Sequence, residues 1–145
     1  MTVTQKTETI DGRQVTVYEF KGEVNAGAQY PYAGVTFNPD AATLALLKKA
    51  TGVTFKIVGD GSPYGFEAVS STVTDWAYHW ARFNTTKDKE TTVTITFRTL
   101  RQPEWGKRVT FNAANVDTFN IFTNKSNFNK SGAFSFKIYD LQIQS

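Results

Sequence analysis

Thr92-Val93-Thr94-Ile95-Thr96-Phe97-Arg98 alternates without a break. Val93, Ile95 and Phe97 fall on one side of an extended chain, and Thr92, Thr94, Thr96 and Arg98 on the other. A period of two is the pattern of a half-buried strand. The same reading extends in both directions. Upstream, Val53–Val58 places Val53, Phe55 and Ile57 on one face, and the cluster Gly59-Asp60-Gly61-Ser62-Pro63 is a turn. Gly65–Ser71 and Ala77–Phe83 follow, then a polar turn through Lys87-Asp88-Lys89. Downstream lie Val116–Thr123 and Phe134–Ile143; near the start lie Val15–Phe20 and Tyr30–Phe37. One helix is expected from Asp40 to Ala50. Asp40 is its N-cap, Leu44 and Leu47 share a face, Lys48 and Lys49 suit its C-terminal end, and Gly52 stops it. Seven or eight short strands with one short helix define an all-β fold, a two-sheet antiparallel β-sandwich or jelly roll. Its expected core is Val53, Phe55, Ile57, Phe66, Phe83, Val93, Ile95, Phe97, Phe119 and Ile121.

The chain has 145 residues, enough for one domain with a proper core. Twelve Phe, six Tyr and three Trp are too many to pass over. Either the core is unusually aromatic or some rings face outward. With no Cys, a disulfide framework, a thiolate metal site and a Cys nucleophile are all excluded. The net charge of +3 is mild. Arg98, Arg101, Lys107 and Arg108 cluster, but no nucleic-acid motif accompanies them, so they read as a solvated rim rather than a nucleic-acid patch. Met1-Thr2-Val3-Thr4-Gln5-Lys6 carries no apolar signal-peptide core, and no apolar run approaches the ~20 residues that span a bilayer.

Several segments in order carry a resemblance. Gly52-Val-Thr-Phe-Lys-Ile-Val-Gly-Asp-Gly61 is a strand with its turn, and Tyr64-Gly-Phe-Glu-Ala-Val-Ser70 is the next strand. Tyr78–Phe83, Phe97-Arg-Thr-Leu-Arg-Gln-Pro-Glu-Trp-Gly106 and a last strand with Asp140 between Ile138 and Ile143 complete the set. Together they resemble the galactose-binding-like jelly rolls of the family-eleven carbohydrate-binding modules and the complex I intermediate-associated protein family. The resemblance covers roughly the last two-thirds of the chain. It implies a concave sheet face that holds a β-glucan chain in many members. The last strand departs from the usual Ile-Asp-x-Ile, reading Tyr139-Asp140-Leu141-Gln142-Ile143, and the N-terminal third aligns only loosely. The expectation is one carbohydrate-binding domain over residues 1–145.

The stretch Asp75-Trp-Ala-Tyr-His-Trp-Ala-Arg-Phe83 is where sugar binding would sit. In one continuous strand, Trp76, Tyr78, Trp80 and Arg82 share a face, each step ~7 Å along. Pyranose rings pack their C–H faces on aromatic rings, and their hydroxyls need fixed polar groups at the edges. The competing reading is that these rings are core. It would place Arg82 inside with them, at a cost unless paired, and it conflicts with Phe83, which has the opposite parity. Glu67, Asn120 and Arg98 are expected on outward faces nearby. Trp105, between Pro103 and Gly106, is a loop candidate, equally readable as a lid on the sandwich. Tyr64 is a weaker one, as are Tyr30 and Tyr32, two apart on one face.

Catalysis finds little support. A glycosidase needs two carboxylates across a cleft, and Asp11, Asp60, Asp75, Asp88 and Glu90 stand in turns. His79, the only histidine, has the parity of a packed core residue. No phosphate loop, dinucleotide fingerprint or zinc motif is present. Jelly rolls of the resembled type often carry calcium between first and last strands. Glu19 and Asp140 match those places best, although calcium takes six to eight oxygens. No cofactor is otherwise required. The expected partner is a polysaccharide, with no nucleic acid and no membrane. The domain would be a monomer fused to a carbohydrate-active enzyme, extracellular, with its signal peptide outside this sequence. Two rival readings remain: a protein-interaction or assembly module of the same fold, and a small glycoside hydrolase or lyase.

Overall fold

Alternation at Thr92–Arg98 leads directly into the architecture. In a computed structural model, described for residues 2–25, 27–29 and 32–145, this stretch as far as Thr96 lies in an edge strand of one of two antiparallel sheets. The strands are β1 (Thr2–Ile10), β2 (Arg13–Val24), β3 (Tyr32–Phe37), β4 (Gly52–Val58), β5 (Pro63–Ser70), β6 (His79–Asn84), β7 (Glu90–Thr96), β8 (Val116–Asn124) and β9 (Gly132–Gln144). Helix α1 spans Ala41–Leu47 and helix α2 spans Lys125–Phe128. A five-stranded sheet has the order β1-β2-β9-β4-β7, and a four-stranded sheet the order β3-β8-β5-β6. The two pack as a jelly-roll sandwich.

All ten expected core residues are buried, from Val53, Phe55 and Ile57 on β4 to Phe119 and Ile121 on β8. Burial of this apolar surface is what holds the layers together. Much of the contact is ring on ring. Phe55 stacks on Phe66 at 6.1 Å and meets Phe83 edge-on at 5.5 Å; Phe66 packs on Phe119 at 5.2 Å. The high aromatic content is thus largely spent inside.

Asp40 caps α1 as expected, accepting a hydrogen bond from the Thr43 backbone N–H at 2.8 Å. Two elements lie outside the sequence reading. Strand β1 is an edge strand whose residues are mostly exposed, so it lacks an apolar alternation. Helix α2 is a single turn capped by Asn124, whose side chain accepts from the Asn127 N–H at 2.7 Å. The turn at Gly59–Ser62 is organised by Asp60. Its carboxylate accepts from the backbone N–H groups of Ser62 (3.0 Å) and Ser135 (3.1 Å) and from the Tyr64 hydroxyl. Burial pushes this carboxyl up, but those hydrogen bonds outweigh it and hold it below the ordinary range.

Candidate functional site

Strand register defines the outer face of the four-stranded sheet. One row across it reads Gly34 (β3), Phe122 (β8), Gly65 (β5), Arg82 (β6); the next reads Thr36, Asn120, Glu67, Trp80. Three inter-strand steps of about 4.8 Å make the face ~14 Å across.

The first row is an aromatic floor. Phe122 points away from the core yet is only 4% exposed, because other rings cover it. Tyr32 stacks on it at 5.8 Å, and Trp80 and Phe128 meet it edge-on at 5.5 Å and 5.9 Å. Flanking glycines make room. A Cβ on Gly65 would lie 2.4 Å from the Phe122 ring, and one on Gly34 would lie 2.6 Å from the Tyr32 hydroxyl. Arg82 lies over the Phe128 ring at 5.7 Å, a cation–π contact.

The second row is a hydrogen-bonded ladder. The Thr36 hydroxyl donates to Asn120 Oδ1, and Asn120 Nδ2 donates to Glu67 Oε1, both at 2.8 Å. Burial pushes the Glu67 carboxyl up, against the lowering effect of Asn120. Burial, followed by the nearby Glu67 charge, pushes Tyr32 up to about 12 and also raises Tyr78. Tyr32 and Tyr78 therefore both feel the Glu67 charge. Half-buried rings beside fixed polar groups are what a sugar chain requires: flat apolar surface with donors and acceptors at its edge.

Trp80 and Arg82 thus stand on one face with Glu67 and Asn120, as the parity of β6 and β5 predicts, and Tyr78 lies just before β6, half-buried. Trp76 does not join them as a strand residue. Strand β6 begins at His79, and Trp76 has φ of 67°, in the left-handed region, so the alternation is broken before it. Its ring is 78% exposed and meets Tyr78 edge-on at 6.4 Å. Trp105 is 69% exposed, so it is no lid on the sandwich. Its loop is tied to the Trp76 loop: Asp75 accepts from the Ala77 and Lys107 N–H groups, and Gln102 Nε2 donates to the Ala77 and Lys107 carbonyls.

Two candidates need correction. Tyr64 points inward and is fully buried, because its hydroxyl is needed by Asp60 at 2.9 Å; it cannot contact a ligand on the outer face. Arg98 follows β7 of the other sheet, in a short 3-10 turn at Phe97–Thr99, so it is no part of the aromatic face. Tyr30 lies outside the described residues. Three members of the face were not picked out from sequence. Phe122 had the right parity. Thr36 depended on strand order, and Phe128 sits on the single-turn helix that gave no periodic signal.

The two proposed calcium ligands do not fit that ion. Glu19 faces the ammonium groups of Lys21 (3.4 Å), Lys6 (3.6 Å) and Lys137 (3.8 Å). Burial pushes it up, but those charges prevail and hold it below its ordinary value. Asp140 pairs with Arg13 and lies 4.0 Å from Lys56. Each carboxylate already has cations where further oxygen ligands would be required. Among the described residues no cluster of three acidic or histidine side chains could hold a metal.

Sandwich, face and register define a class, the jelly-roll fold of the carbohydrate-binding modules. A structure of the family 11 carbohydrate-binding module of the cellulosomal cellulase Lic26A-Cel5E of Clostridium thermocellum matches with a TM-score of 0.62 at 15% identity. The match covers 99% of this chain and 82% of that one. The Clostridium thermocellum family 11 module in complex with a β-1,3-1,4-mixed-linked tetrasaccharide matches at 0.60 and 16% identity, covering 99% and 83%. An exo-β-agarase matches at 0.60 and 10% identity; 99% of this chain corresponds to 23% of that one. No curated protein sequence matches the chain. The profile of complex I intermediate-associated protein 30 matches residues 5–138, and the chain belongs to that family.

Proposed function

We propose that this domain binds a plant cell-wall polysaccharide, a β-glucan or related hemicellulose chain, without catalysis. The ligand lies on the outer face of the four-stranded sheet. The observation that carries the reading is the juxtaposition of two rows. Tyr32, Trp80 and Phe128 surround Phe122, and beside them runs the Thr36–Asn120–Glu67 ladder. Stacking on the rings supplies affinity, and the ladder fixes the hydroxyls. Arg82 offers further donors at the β6 edge, and Tyr78, Trp76 and Trp105 extend the aromatic surface toward the joined loops. The fold likeness to a module seen with a mixed-linked tetrasaccharide supports the choice of ligand class. In this reading the domain is secreted, monomeric and attached to a carbohydrate-active enzyme, which it holds near its substrate.

Trp80→Ala tests this directly. Loss of a stacking ring should weaken polysaccharide binding at least tenfold, about 1.4 kcal/mol. The ring also packs on Phe122 and Phe128, at 5.5 and 5.8 Å. Being half-buried, it should cost about 2 kcal/mol of stability, below the ~3–5 kcal/mol of a buried Trp. Affinity electrophoresis on glucans, mannans and xylans, with melting curves on the same samples, reads both quantities. A folded variant with unchanged retardation would defeat the proposal.

The family match favours a second reading, a protein-assembly module using the same face. Trp, Tyr and Arg also dominate protein contacts. Absence of retardation on every polysaccharide would favour it, whereas release of reducing sugar would favour a hydrolase.

A further inference from the structure

Three of the four basic residues that sequence left as a solvated rim converge on one cleft. It has a volume of about 480 Å³ and lies where β6 faces the chain following β7. Arg98, Arg101 and Arg108 line it. On the five-stranded sheet Lys6, Arg13, Lys21, Lys56 and Lys137 each meet a carboxylate. Among the described residues, these three arginines meet none. Two are held in place by backbone carbonyls. Arg101 Nη1 donates to the carbonyls of Arg98 (2.5 Å) and Leu100 (2.9 Å). Arg108 donates to those of Gln102 (3.4 Å) and Glu104 (3.5 Å).

His79 closes the floor of this cleft. It is 7% exposed, and its Nδ1 is buried with no hydrogen-bond partner. A buried polar atom without a partner calls for an explanation. The Val109 backbone lies near the ring and favours its charged form. Burial lowers the imidazole pKa, the Val109 backbone raises it less, and Arg101 and Arg108 lower it further. The remaining walls, Phe97, Leu100, Gln102, Thr110 and Phe111, do not titrate, and Phe111 packs edge-on against His79 at 5.3 Å.

We infer that this cleft is a binding site for an oxyanion, the sulfate, phosphate or carboxylate group of a small ligand, clamped by Arg98, Arg101 and Arg108 above His79. Guanidinium forks match oxyanions geometrically. The volume exceeds that of a bare ion and falls in the range of small-molecule sites, ~300–1,000 Å³. Its apolar wall gives a sugar-sized ring a surface to rest on. The site is on the core side of the β6 edge, separate from the outer aromatic face, and does not rest on the polysaccharide reading. Binding also couples to a proton. In the empty cleft burial and the two arginines disfavour the charged imidazole. An anion offsets the arginines and so favours the protonated ring, and anion affinity rises as pH falls.

As the only histidine, His79 gives an unambiguous NMR signal. Sodium sulfate, which does not titrate in this range, should move the imidazole resonances saturably at constant ionic strength and raise their titration midpoint. Arg98→Gln, at a side chain with no hydrogen bond among the described residues, and Arg108→Gln should each weaken sulfate at least tenfold; Lys6→Gln should not. Glucuronate compared with acetate, and glucose 1-phosphate compared with phosphate, identify the carrier, while glucose itself should leave the signal unmoved. A linear drift matching that of chloride, or unchanged sulfate affinity in the folded arginine variants, would overturn the assignment.

Discussion

Gly65→Ala is the sharpest probe of how the aromatic face is built. The added methyl would lie 2.4 Å from Phe122 Cε1 and 2.5 Å from Cζ. Carbon atoms sit comfortably at about 3.5–4.0 Å, so the ring must retreat by about 1 Å or more. It has little room, because Tyr32, Trp80 and Phe128 enclose it. Overpacking of this kind costs typically ~1–3 kcal/mol. Replacing glycine also restricts the unfolded chain, which returns about 0.4–1 kcal/mol. The expected net loss is therefore about 1–2 kcal/mol, read as a lower urea midpoint at unchanged slope. Gly34→Ala is the control. Its methyl would meet the Tyr32 hydroxyl at 2.6 Å and Phe122 Cβ at 3.2 Å; the Tyr32 ring is half-exposed and can swing aside, and Phe122 need yield only a few tenths of an ångström, so the loss should stay under about 1 kcal/mol. Pairing Gly65→Ala with Phe122→Ala should remove the clash, leaving the double variant at least 1 kcal/mol more stable than additivity predicts. A Gly65→Ala protein as stable as the parent, or strict additivity in the cycle, would refute the ring-over-glycine arrangement.

Glu67→Gln should raise the melting temperature at pH 7. Burial lifts the folded-state pKa of Glu67, so the fold disfavours its charged form, and its contribution is best below the unfolded pKa and lost as pH rises through the folded one. The two melting curves should converge near pH 4; parallel curves at every pH would be the contrary result. Chelator and added calcium should both leave the melting temperature unchanged, since Glu19 and Asp140 face cations. A drop with chelator would restore the calcium expectation.

The core was legible because its strands turn alternate residues toward the opposite sheet. At Val93 and Ile95, or Phe55 and Ile57, burial and parity say the same thing, and the period of two survives every tertiary adjustment. Where that condition fails, sequence falls silent. Strand β1 buries little, so Thr, Gln, Lys and Glu can follow one another without consequence. Trp76 looked like a strand residue because large rings at alternate positions continued back from Trp80. What sequence did not carry is the chain reversal ahead of His79, fixed by Asp75 accepting from Ala77 and Lys107, the latter 32 positions away. Tyr64 failed for a related reason. Its hydroxyl suits a sugar contact as well as a buried carboxylate, and only the fold brings Asp60 under it.

The candidate site follows the same logic one level up. Parity placed Trp80, Arg82, Glu67 and Asn120 on outward faces, yet outward is not together. What brings them together is the order β3-β8-β5-β6, which sets Asn120 opposite Glu67 and Thr36 opposite Asn120. Arg98 passed the same parity test and was carried to the other sheet. Its place beside Arg101, Arg108 and His79 arises because Arg101 pairs with Trp80 at the β6 edge, each donating to the other's carbonyl at 3.1 Å. That backbone pair forms the boundary between the two surfaces. On one side the Trp80 ring joins the aromatic face, and on the other the arginines ring the cleft. A variant that weakens carbohydrate binding through Trp80 and one that weakens anion binding through Arg98 should therefore act independently, because the backbone pair between them is unchanged in both.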